Sequence, residues 1–306
     1  MIPEDALREV EEQLRGDTGI RIQRDVDMKN LTSLRLGGKA RMLCECGNPE
    51  SLRWLLRAVR ETGVPLTVMG NGSNLLVLDG GIPGVTLRMG RDFSSVRFEG
   101  RRVFCQAGCL LSSLSRQCVD RGLSGLVFAS GIPGSVGGAA FMNAGAYGGE
   151  MKDVLRSVRL ITYDGEILEL KGEEMALGYR TSAMQRMEGV ITEAVLDMGE
   201  DLPEKMRREC AELARKRAEK QPLDVPSAGS TFRRPEGAYA AQLIEQCGLK
   251  GFRIGQAWVS EKHAGFLVNR GTSSRDFLFL METVRRRVHE ETGYLLEPEI
   301  RILGVE

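Results

Sequence analysis

Two glycine-rich loops, about sixty residues apart, constrain the fold of this chain more than any other feature of its sequence. The first reads Gly70-Asn71-Gly72-Ser73-Asn74, and the second begins Gly131-Ile132-Pro133-Gly134-Ser135 and continues through Gly138. Apolar, strand-like sequence flanks each loop. Glycine is favoured where the backbone takes a positive φ or approaches a ligand closely, and successive N–H groups in such loops can surround phosphate oxygens. The pair therefore predicts an extended phosphorylated ligand, such as a dinucleotide.

The loops differ from the common single-loop nucleotide-binding motifs. A Rossmann fingerprint needs a helix after the loop and a third glycine, whereas here a short apolar strand follows and Leu75 stands at the third position. Neither loop contains the Gly-Lys-Ser/Thr of a P-loop. The second loop extends to residue 149, and its apolar side chains, among them Phe141 and Tyr147, argue against a flexible linker. We therefore expect a structured loop.

Short strands and helices alternate along the first two hundred residues. Asn48 and Pro49 supply an N-cap and a first-turn proline for a helix that Gly63 ends. A further helix is predicted at 111–121, and strands at 64–69, 75–78, 85–89, 102–105, 158–163, 167–170 and 190–196. After the charged segment 199–203, helices are predicted up to Lys220 and at 238–247 and 275–292. The pattern indicates an α+β protein with a separate C-terminal domain.

The charge and the hydropathy of the chain exclude several classes of partner. Lys and Arg together number 42, as do Asp and Glu, so the formal net charge is zero. This composition lacks the basic surface that nucleic-acid binding requires, and no apolar run approaches the length of a membrane span. The first five residues have neither the basic nor the apolar region of an export signal. We therefore expect a soluble, cytoplasmic protein without nucleic-acid or membrane partners.

Cysteine and histidine usage argues against a metal site. The chain has seven cysteines but no Cys-x-x-Cys, so buried free thiols are expected rather than disulfides or a zinc site. Only two histidines are present, His263 and His289, which excludes a His-rich metal centre. His289 is expected on the surface of the last helix. No metal is predicted.

Several motifs together resemble the UDP-N-acetylenolpyruvoylglucosamine reductases of peptidoglycan synthesis. Besides the two glycine loops they are Thr32-Ser33-Leu34-Arg35-Leu36-Gly37-Gly38, Tyr179-Arg180-Thr181-Ser182, Ala228-Gly229-Ser230-Thr231-Phe232, Lys262-His263-Ala264-Gly265-Phe266 and Leu296-Glu297-Pro298-Glu299-Ile300. Each motif is weak alone, but their order and spacing over nearly the whole chain are specific. The chain resembles the shorter, type II subclass, because it lacks the extra loop that carries a substrate-binding tyrosine in the longer one.

The resemblance implies a fold and a division into domains. The fold is the FAD-binding fold shared with vanillyl-alcohol oxidase, with two α+β subdomains, followed by a C-terminal α+β substrate-binding domain. We expect the first subdomain at 1–95, the second at 96–202 and the substrate-binding domain at 203–296. The last strand, within 297–306, is expected to return to the first subdomain.

By the same resemblance the protein binds FAD tightly and takes hydride from NADPH. Relatives in the wider fold often attach the flavin covalently through histidine, but no histidine precedes His263, so a non-covalent flavin is expected. The residues expected to hold FAD are Asn71, Gly72, Ser73, Asn74, Leu75, Gly131, Ile132, Pro133, Gly134, Ser135, Gly137, Gly138, Ala139, Asn143, Gly145, Ala146 and Tyr147.

Three residues match the family's catalytic positions. Ser230 matches the proton donor, Arg180 the arginine that stabilises an enolate, and Glu299 the glutamate near the C-terminus. From the residues alone, a serine in this context is more typical of a turn or a helix cap. Similarly, Arg180 could be a surface arginine, and spacing alone would not separate Glu299 from Glu297.

The resemblance also points to residues that bind the substrate's diphosphate and sugar. Lys220 and Lys250 match such positions, His263 lines the same cleft, and Lys262 is a neighbouring candidate. Arg234 stands where many relatives have an asparagine that contacts substrate, so this contact is expected to differ. Another departure is Val127, which replaces a common glutamate before the second loop; its effect stays open.

The reaction implied by the resemblance is the reduction of the enolpyruvyl group of UDP-N-acetylglucosamine enolpyruvate to UDP-N-acetylmuramate. This sugar nucleotide is the expected small-molecule partner, and a monomer or a weak oligomer is expected. Two alternatives stay open from the sequence. One is an FAD-dependent oxidase of small hydroxy compounds on the same fold, and the other is a nucleotide-sugar binding protein without enzymatic activity.

Overall fold

The computed structural model describes residues 3–306, so residues 1 and 2 of the segment assessed for an export signal lie outside the described part. Its helices are α1 Glu4–Gln13, α2 Pro49–Thr62, α3 Leu111–Asp120, α4 Val136–Met142, α5 Pro203–Lys220, α6 Ala240–Gln246 and α7 Ser274–Thr292. Its strands are β1 Ile20–Asp27, β2 Lys39–Cys46, β3 Leu66–Met69, β4 Leu75–Val77, β5 Ile82–Arg88, β6 Val96–Glu99, β7 Arg102–Gln106, β8 Leu123–Ser124, β9 Gly145–Ala146, β10 Gly149–Glu150, β11 Leu155–Thr162, β12 Ile167–Lys171, β13 Gly189–Asp197, β14 Gly199–Glu200, β15 Arg253–Ile254, β16 Ala257–Val259, β17 Leu267–Asn269 and β18 Arg301–Leu303.

Local signals set the ends of the longer helices. The Asn48 side chain accepts a hydrogen bond from the Ser51 N–H at 2.8 Å, and α2 ends at Gly63 in the left-handed region with φ +66°. The last helix, α7, begins after the N-cap Ser273 and ends at Gly293, whose φ is +76°. Both helices are confirmed, as is the α+β class.

Most of the sheet pairing is antiparallel. A five-stranded sheet has the order β12-β11-β13-β7-β6 with every neighbouring pair antiparallel. A four-stranded sheet has the order β1-β2-β5-β3, in which β3 and β5 are parallel. A three-stranded antiparallel sheet, β15-β16-β17, precedes α7. Finally, β18 pairs in parallel with β4, so the end of the chain lies beside the strand that follows the first glycine loop.

Two hydrophobic cores divide the chain into two units. Unit 1 comprises residues 1–24, 42–71 and 84–215, and unit 2 comprises 25–41, 72–83 and 216–306. The core of unit 1 lies among α2, α3, α4 and the five-stranded sheet, whereas the core of unit 2 gathers apolar side chains of α6, α7, β16 and β17. The three-domain division stays a prediction.

The structure corrects the description of the second glycine loop. Residues 136–142, predicted as part of an extended loop, form helix α4, and a short 3₁₀ turn over Val127–Ala129 rather than a strand precedes the loop. The sequence analysis also did not identify α1 or β1. Within residues 3–306, none of the helices combines the length and the apolar character needed to cross a membrane.

Candidate active site

The two glycine loops meet within unit 1. The Asn71 Nδ2 donates to the Pro133 carbonyl at 2.6 Å. A Cβ placed on Gly70 would collide with the Oγ of Ser135, so glycine is required there by the approach of the second loop. The structure therefore brings the start of the first predicted FAD-binding segment against the middle of the second.

The first turn of helix α4 is stabilised by hydrogen bonds from its N–H groups to acceptors outside the helix. Ser135 is its N-cap and accepts a hydrogen bond from the Gly138 N–H at 3.4 Å. The N–H groups of Val136 and Gly137 donate to the carbonyls of Cys109 and Ala107, each at 2.8 Å. Four N–H groups at a helix start lack intrahelical partners, and here the segment before α3 satisfies two of them.

The two adjacent glycines of α4 differ in a way that bears on FAD binding. Gly137 is buried, and a Cβ there would lie 2.7 Å from the Cβ of Ala107, so packing requires glycine. Gly138 is exposed, has an ordinary helical φ, and a Cβ there would meet only the Ser135 Oγ, at 3.4 Å, among the described residues. Glycine inside a helix is unfavourable relative to alanine. An open backbone at Gly138 is compatible with the close approach of a ligand, as the prediction of FAD binding by this loop requires.

Asn143, directly after α4, is fully buried and ties three segments together. Its Nδ2 donates to the Glu150 Oε2 at 2.7 Å and to the Gly178 carbonyl at 2.9 Å, and its Oδ1 accepts from the Lys152 N–H at 2.9 Å. The residue takes φ +42°, which asparagine tolerates better than most residues. Asn143 therefore orders the polypeptide after α4, including the hairpin formed by β9 and β10.

Tyr147 lies at the tip of that hairpin. Both central residues of its turn, Tyr147 and Gly148, have positive φ, at +52° and +87°, as a type I′ turn requires. The Tyr147 side chain is 48% exposed. Gly145 and Ala146, also predicted to contact FAD, form the preceding strand β9 and are half-buried. The prediction that these three residues act together stays untested, but they share one hairpin.

Arg180 lies in a tight turn of unit 1 beside this hairpin. The N–H and carbonyl groups of Gly178 and Thr181 bond to each other at 3.1 and 3.2 Å, so Tyr179 and Arg180 form a two-residue turn. Arg180 has φ +53°, and its Nη2 donates to the Gly145 carbonyl at 3.1 Å. The guanidinium is half-buried and directed toward the predicted FAD-binding segment. Unit 1 thus brings the candidate enolate-stabilising residue next to Gly145.

Ser230 and Glu299 come together in unit 2 through the backbone of Thr231. The Glu299 N–H donates to the Thr231 carbonyl at 2.8 Å, and Phe232 pairs with Pro298 in an antiparallel bridge. On the other side, the Thr231 N–H donates to the Gly265 carbonyl at 2.9 Å. Two of the three predicted catalytic residues therefore lie on paired segments, while Arg180 belongs to unit 1.

The end of the first glycine loop joins the same group in unit 2. Asn74 Nδ2 donates to the Glu299 carbonyl at 3.1 Å, and the Asn74 carbonyl accepts from the Arg301 N–H at 3.0 Å. Gly72 has φ +67°, and a Cβ there would collide with the carbonyl of Leu31. The structure thus connects Asn74, a predicted cofactor residue, to the segment that carries Glu299.

The basic residues predicted to bind substrate have different surroundings. The Nζ of Lys250 pairs with the Glu245 Oε1 at 2.6 Å. Lys262 donates to the Ala218 carbonyl in the last turn of α5, where helix carbonyls lack intrahelical partners. Arg234 lies over the Tyr239 ring, 4.0 Å from its centroid, and Lys220 is exposed at the end of α5. Lys262 therefore has a structural contact of its own.

His263 is half-buried beside the Thr231 segment. Burial, together with the positive charge of Lys250, lowers its pKa from the ordinary value, although its own backbone hydrogen bond and Glu245 act in the opposite direction. The Nδ1 accepts a hydrogen bond from the Gly265 N–H at 3.1 Å, and the ring meets Phe266 edge to face at 5.0 Å. These contacts favour a neutral imidazole with its proton on Nε2.

The remaining titratable groups do not form a second site. All seven cysteines are free, five of them buried, and burial raises the pKa of Cys44 and of Cys118 to about 12. Such thiols are poor nucleophiles at neutral pH. His289 is exposed on α7. Among residues 3–306 no cluster of three or more His, Cys, Asp or Glu side chains could hold a metal ion.

Two residues that organise these segments, Thr231 and Gln185, were not predicted from the sequence. Thr231 was part of a motif but received no role; it is 1% exposed, and its Oγ1 also accepts from the Leu267 N–H at 3.1 Å. Gln185 lay outside every motif, and its amide bonds to the Arg180 and Phe141 carbonyls. In the sequence, the β-branched Thr231 directly after Gly229-Ser230 gives a weak indication of its structural role. Nothing in the sequence indicates the role of Gln185.

Two regions of the chain match known protein families. Residues 40–171 match the FAD binding domain family, and residues 221–303 match the C-terminal domain of UDP-N-acetylenolpyruvoylglucosamine reductase. The first match contains helix α4 and all of the predicted FAD-binding residues, and the second contains Ser230 and Glu299. The two matches separate the predicted cofactor-binding and substrate-binding parts of the chain.

Individual proteins match over nearly the full length. UDP-N-acetylenolpyruvoylglucosamine reductase from Syntrophomonas wolfei is 43% identical over 94% of this chain and 96% of its own length. The enzyme of that name from Alkaliphilus metalliredigens is 46% identical over 90% of this chain and 91% of its own. The crystal structure of UDP-N-acetylenolpyruvylglucosamine reductase from Thermus caldophilus superimposes with a TM-score of 0.80 at 38% identity, covering 93% of this chain and 100% of that one.

Proposed function

Since the chain belongs to the UDP-N-acetylenolpyruvoylglucosamine reductase family of FAD-dependent oxidoreductases, we propose that it uses NADPH to reduce UDP-N-acetylglucosamine enolpyruvate to UDP-N-acetylmuramate. The observation that carries the proposal is the backbone pairing that brings Ser230 and Glu299 together through Thr231. A proton donor and a carboxyl group are the side chains needed where an enolate is protonated.

The residues that hold FAD in this proposal are those of the two glycine loops and the β9–β10 hairpin, from Asn71 to Leu75, from Gly131 to Ala139, and from Asn143 to Tyr147. The contact of Asn71 with Pro133 and the open backbone at Gly138 support this assignment. When bound, FAD supplies the transfer of hydride from NADPH to the distal carbon of the enolpyruvyl group. The attachment is non-covalent, because both histidines lie beyond residue 260.

Arg180 stabilises the negative charge that hydride addition leaves on the enolate and the substrate carboxylate. Its permanent charge and its several N–H donors suit a carboxylate. Its Nη2 donates to the Gly145 carbonyl, so the guanidinium is already restrained before substrate binds. Preorganised positive charge is effective because no reorientation is needed when the negative charge develops.

Ser230 then donates a proton to the carbon next to the carboxylate. An alcohol is a weak acid, so this step demands a strongly basic acceptor, and an enolate is such a group. Glu299 acts on the same enolpyruvyl group, since its backbone N–H bonds the residue directly after Ser230. Both side chains are half-buried, which limits competition from water.

The diphosphate and sugar of the substrate bind to basic side chains of unit 2. We assign Lys220, Arg234, Lys250, Lys262 and His263 to this task, as their positions in the family imply. Arg234 is held over Tyr239 and adds a positive charge where relatives carry a neutral amide. A charged donor strengthens hydrogen bonds to phosphate oxygens.

We also propose that the enzyme acts in the cytoplasm as a monomer or a weak oligomer. Seven free cysteines are typical of a protein kept in a reducing compartment. Size-exclusion chromatography with light scattering, over a range of protein concentrations, tests the oligomeric state.

An anaerobic half-reaction tests the proposed function. The holoenzyme is reduced with NADPH, UDP-N-acetylglucosamine enolpyruvate is added, and the absorbance of the oxidised flavin is followed. Rapid return of the oxidised spectrum without oxygen is expected. A flavin that stays reduced would exclude this acceptor and favour the oxidase alternative, for which peroxide production from small hydroxy compounds is the assay. A preparation without bound flavin would favour a binding protein.

A further inference from the structure

The backbone at Arg180 is held in a conformation that an arginine does not adopt readily. Its φ of +53° lies in the left-handed region, which is unfavourable for residues with a Cβ. Such conformations persist only where neighbouring groups enforce them. The Gly178–Thr181 hydrogen bonds close the turn, but they bond neither polar backbone group of Arg180 itself.

The Gln185 side chain restrains the Arg180 backbone directly. Its Nε2 donates to the Arg180 carbonyl at 3.1 Å and to the Phe141 carbonyl at 2.9 Å. An amide NH₂ has two N–H donors, and the two carbonyls are its stronger acceptors here, beside a longer contact of 3.8 Å to the Met142 sulfur. Phe141 lies in the last turn of α4, where carbonyl groups lack helical partners. One side chain therefore fastens the Arg180 backbone to the helix that begins in the second glycine loop.

The neighbouring Ser182 and Asn143 side chains do not bond both the Arg180 and the Phe141 carbonyls. The Ser182 Oγ donates to the same Phe141 carbonyl at 2.7 Å, but its hydrogen bond does not extend to Arg180. Asn143 bonds the Gly178 carbonyl, at the start of the turn. Ser182 is thus a natural control, because it shares one acceptor with Gln185 and lacks the other.

We propose that Gln185 is a positioning residue, whose amide fixes the Arg180 turn against α4 and so directs the guanidinium toward the developing enolate. This inference rests on the proposed function, in which Arg180 stabilises that charge. Its consequence is specific: loss of the Gln185 amide should slow the step in which the enolpyruvyl substrate is reduced. Flavin reduction by NADPH, in which no enolate forms, should be unaffected.

The test compares Gln185→Met with Ser182→Ala by anaerobic stopped-flow measurement of both half-reactions. Methionine preserves the length of the side chain and removes both donors. Reoxidation of the reduced flavin by the enolpyruvyl substrate should slow by about tenfold to a hundredfold in Gln185→Met, as expected for small misplacement of a reacting group. Flavin reduction and FAD content should stay close to wild type, the apoprotein should stay folded with a lowered thermal midpoint because two hydrogen bonds are lost, and Ser182→Ala should retain both rates within about threefold.

Equal slowing of both half-reactions, or loss of bound FAD, would mean that Gln185 only supports the fold and would overturn the inference. If Gln185→Met does not fold, Gln185→Asn decides the question: it keeps the amide but is too short to span both carbonyls. A selective slowing of reoxidation supports the inference, and an unchanged rate refutes it.

A double-mutant cycle separates this inference from the proposed function. If Gln185 acts through Arg180, adding Gln185→Met to Arg180→Ala should cause no further loss of the reoxidation rate. A further loss of the same size as in the single variant would show independent action and refute the inference. An Arg180→Ala protein with a normal reoxidation rate would refute the proposed role of Arg180 and the inference together. A slow Arg180→Ala beside a normal Gln185→Met would refute the inference alone.

Discussion

The two units hold their candidate catalytic residues in different ways. In unit 1 two backbone hydrogen bonds close the Arg180 turn, but side chains fasten it to the rest of the unit, because the amides of Asn143 and Gln185 bond its backbone. In unit 2 the segment that carries Ser230 depends on backbone hydrogen bonds, with Thr231 bonded to Gly265 on one side and Glu299 on the other. A backbone-paired segment should tolerate changes of its reacting side chains, whereas a turn held by side chains should not tolerate changes of the residues that hold it.

Substitution of Ser230 should give the largest effect and tests the unit 2 half of this comparison. In Ser230→Ala we expect reoxidation of the flavin by the enolpyruvyl substrate to fall by about 10²–10⁴-fold, as when a general acid is removed. Reduction by NADPH should be unaffected. Because the backbone pairing remains, the free energy of unfolding should change by no more than about 0.5 kcal/mol. Stopped-flow absorbance and urea titration measure these quantities.

Ser227→Ala is the matched control, since it removes a serine hydroxyl from the same segment and leaves the Ser227 carbonyl that accepts from the Ser33 Oγ. It should retain both rates. Normal turnover in Ser230→Ala would remove Ser230 from the mechanism, and a large loss of stability would show that unit 2 also depends on the side chain.

Asn143 tests the unit 1 half of the comparison, because its substitution should strongly lower the free energy of unfolding. Asn143→Ala removes the three hydrogen bonds of a fully buried side chain, and at about 1 kcal/mol for each the free energy of unfolding should fall by about 3 kcal/mol. Asn143→Gly loses the same bonds but accommodates φ +42° without strain, so it should be more stable than the alanine variant by about 1 kcal/mol. Urea denaturation of the apoprotein measures both. A loss below about 1 kcal/mol in Asn143→Ala would contradict the view that side chains hold this part of unit 1.

The sequence predicted the elements whose signals are local. Asn48 and Gly63 bound α2, and Gly293 ends α7, because caps and left-handed glycines act within a few residues. The proximity of Ser230 and Glu299 has no such signal: they are nearly seventy residues apart, and only the family resemblance suggested a shared role. Backbone pairing between distant segments is set by tertiary structure and leaves little local pattern.

Helix α4 and Gln185 escaped prediction for a related reason. Two adjacent glycines give residues 136–142 a low helix propensity, and the helix forms because the carbonyls of Cys109 and Ala107 accept its first N–H groups. The importance of Gln185 depends on two carbonyls, one of them more than forty residues away in sequence. Such restraints become visible only when the folded backbone is known.

Gly138 sharpens the comparison within unit 1, because packing requires Gly137, whereas Gly138 is proposed to leave room for FAD. Gly138→Ala should stabilise the apoprotein by up to about 1 kcal/mol, since alanine is the better helix former and meets no clash. The same methyl group should weaken FAD binding, which fluorescence titration of the apoprotein measures. Gly137→Ala, which would crowd Ala107, should instead destabilise the apoprotein. Unchanged FAD affinity in Gly138→Ala would remove this position from the cofactor site.

The smallest expected effect concerns His263, the titratable neighbour of the Thr231 segment. Burial lowers the pKa of this imidazole in the folded state, so the unfolded chain takes up a proton more readily. The contribution of His263 to the free energy of unfolding should therefore be fully present above the ordinary histidine pKa of about 6.5, and it should decline as the pH falls below that value. His263→Gln, which can still accept from the Gly265 N–H, should lose less stability over the same range. Urea denaturation at several pH values tests this; equal slopes in both proteins would mean that protonation of His263 does not disturb the backbone pairing in unit 2.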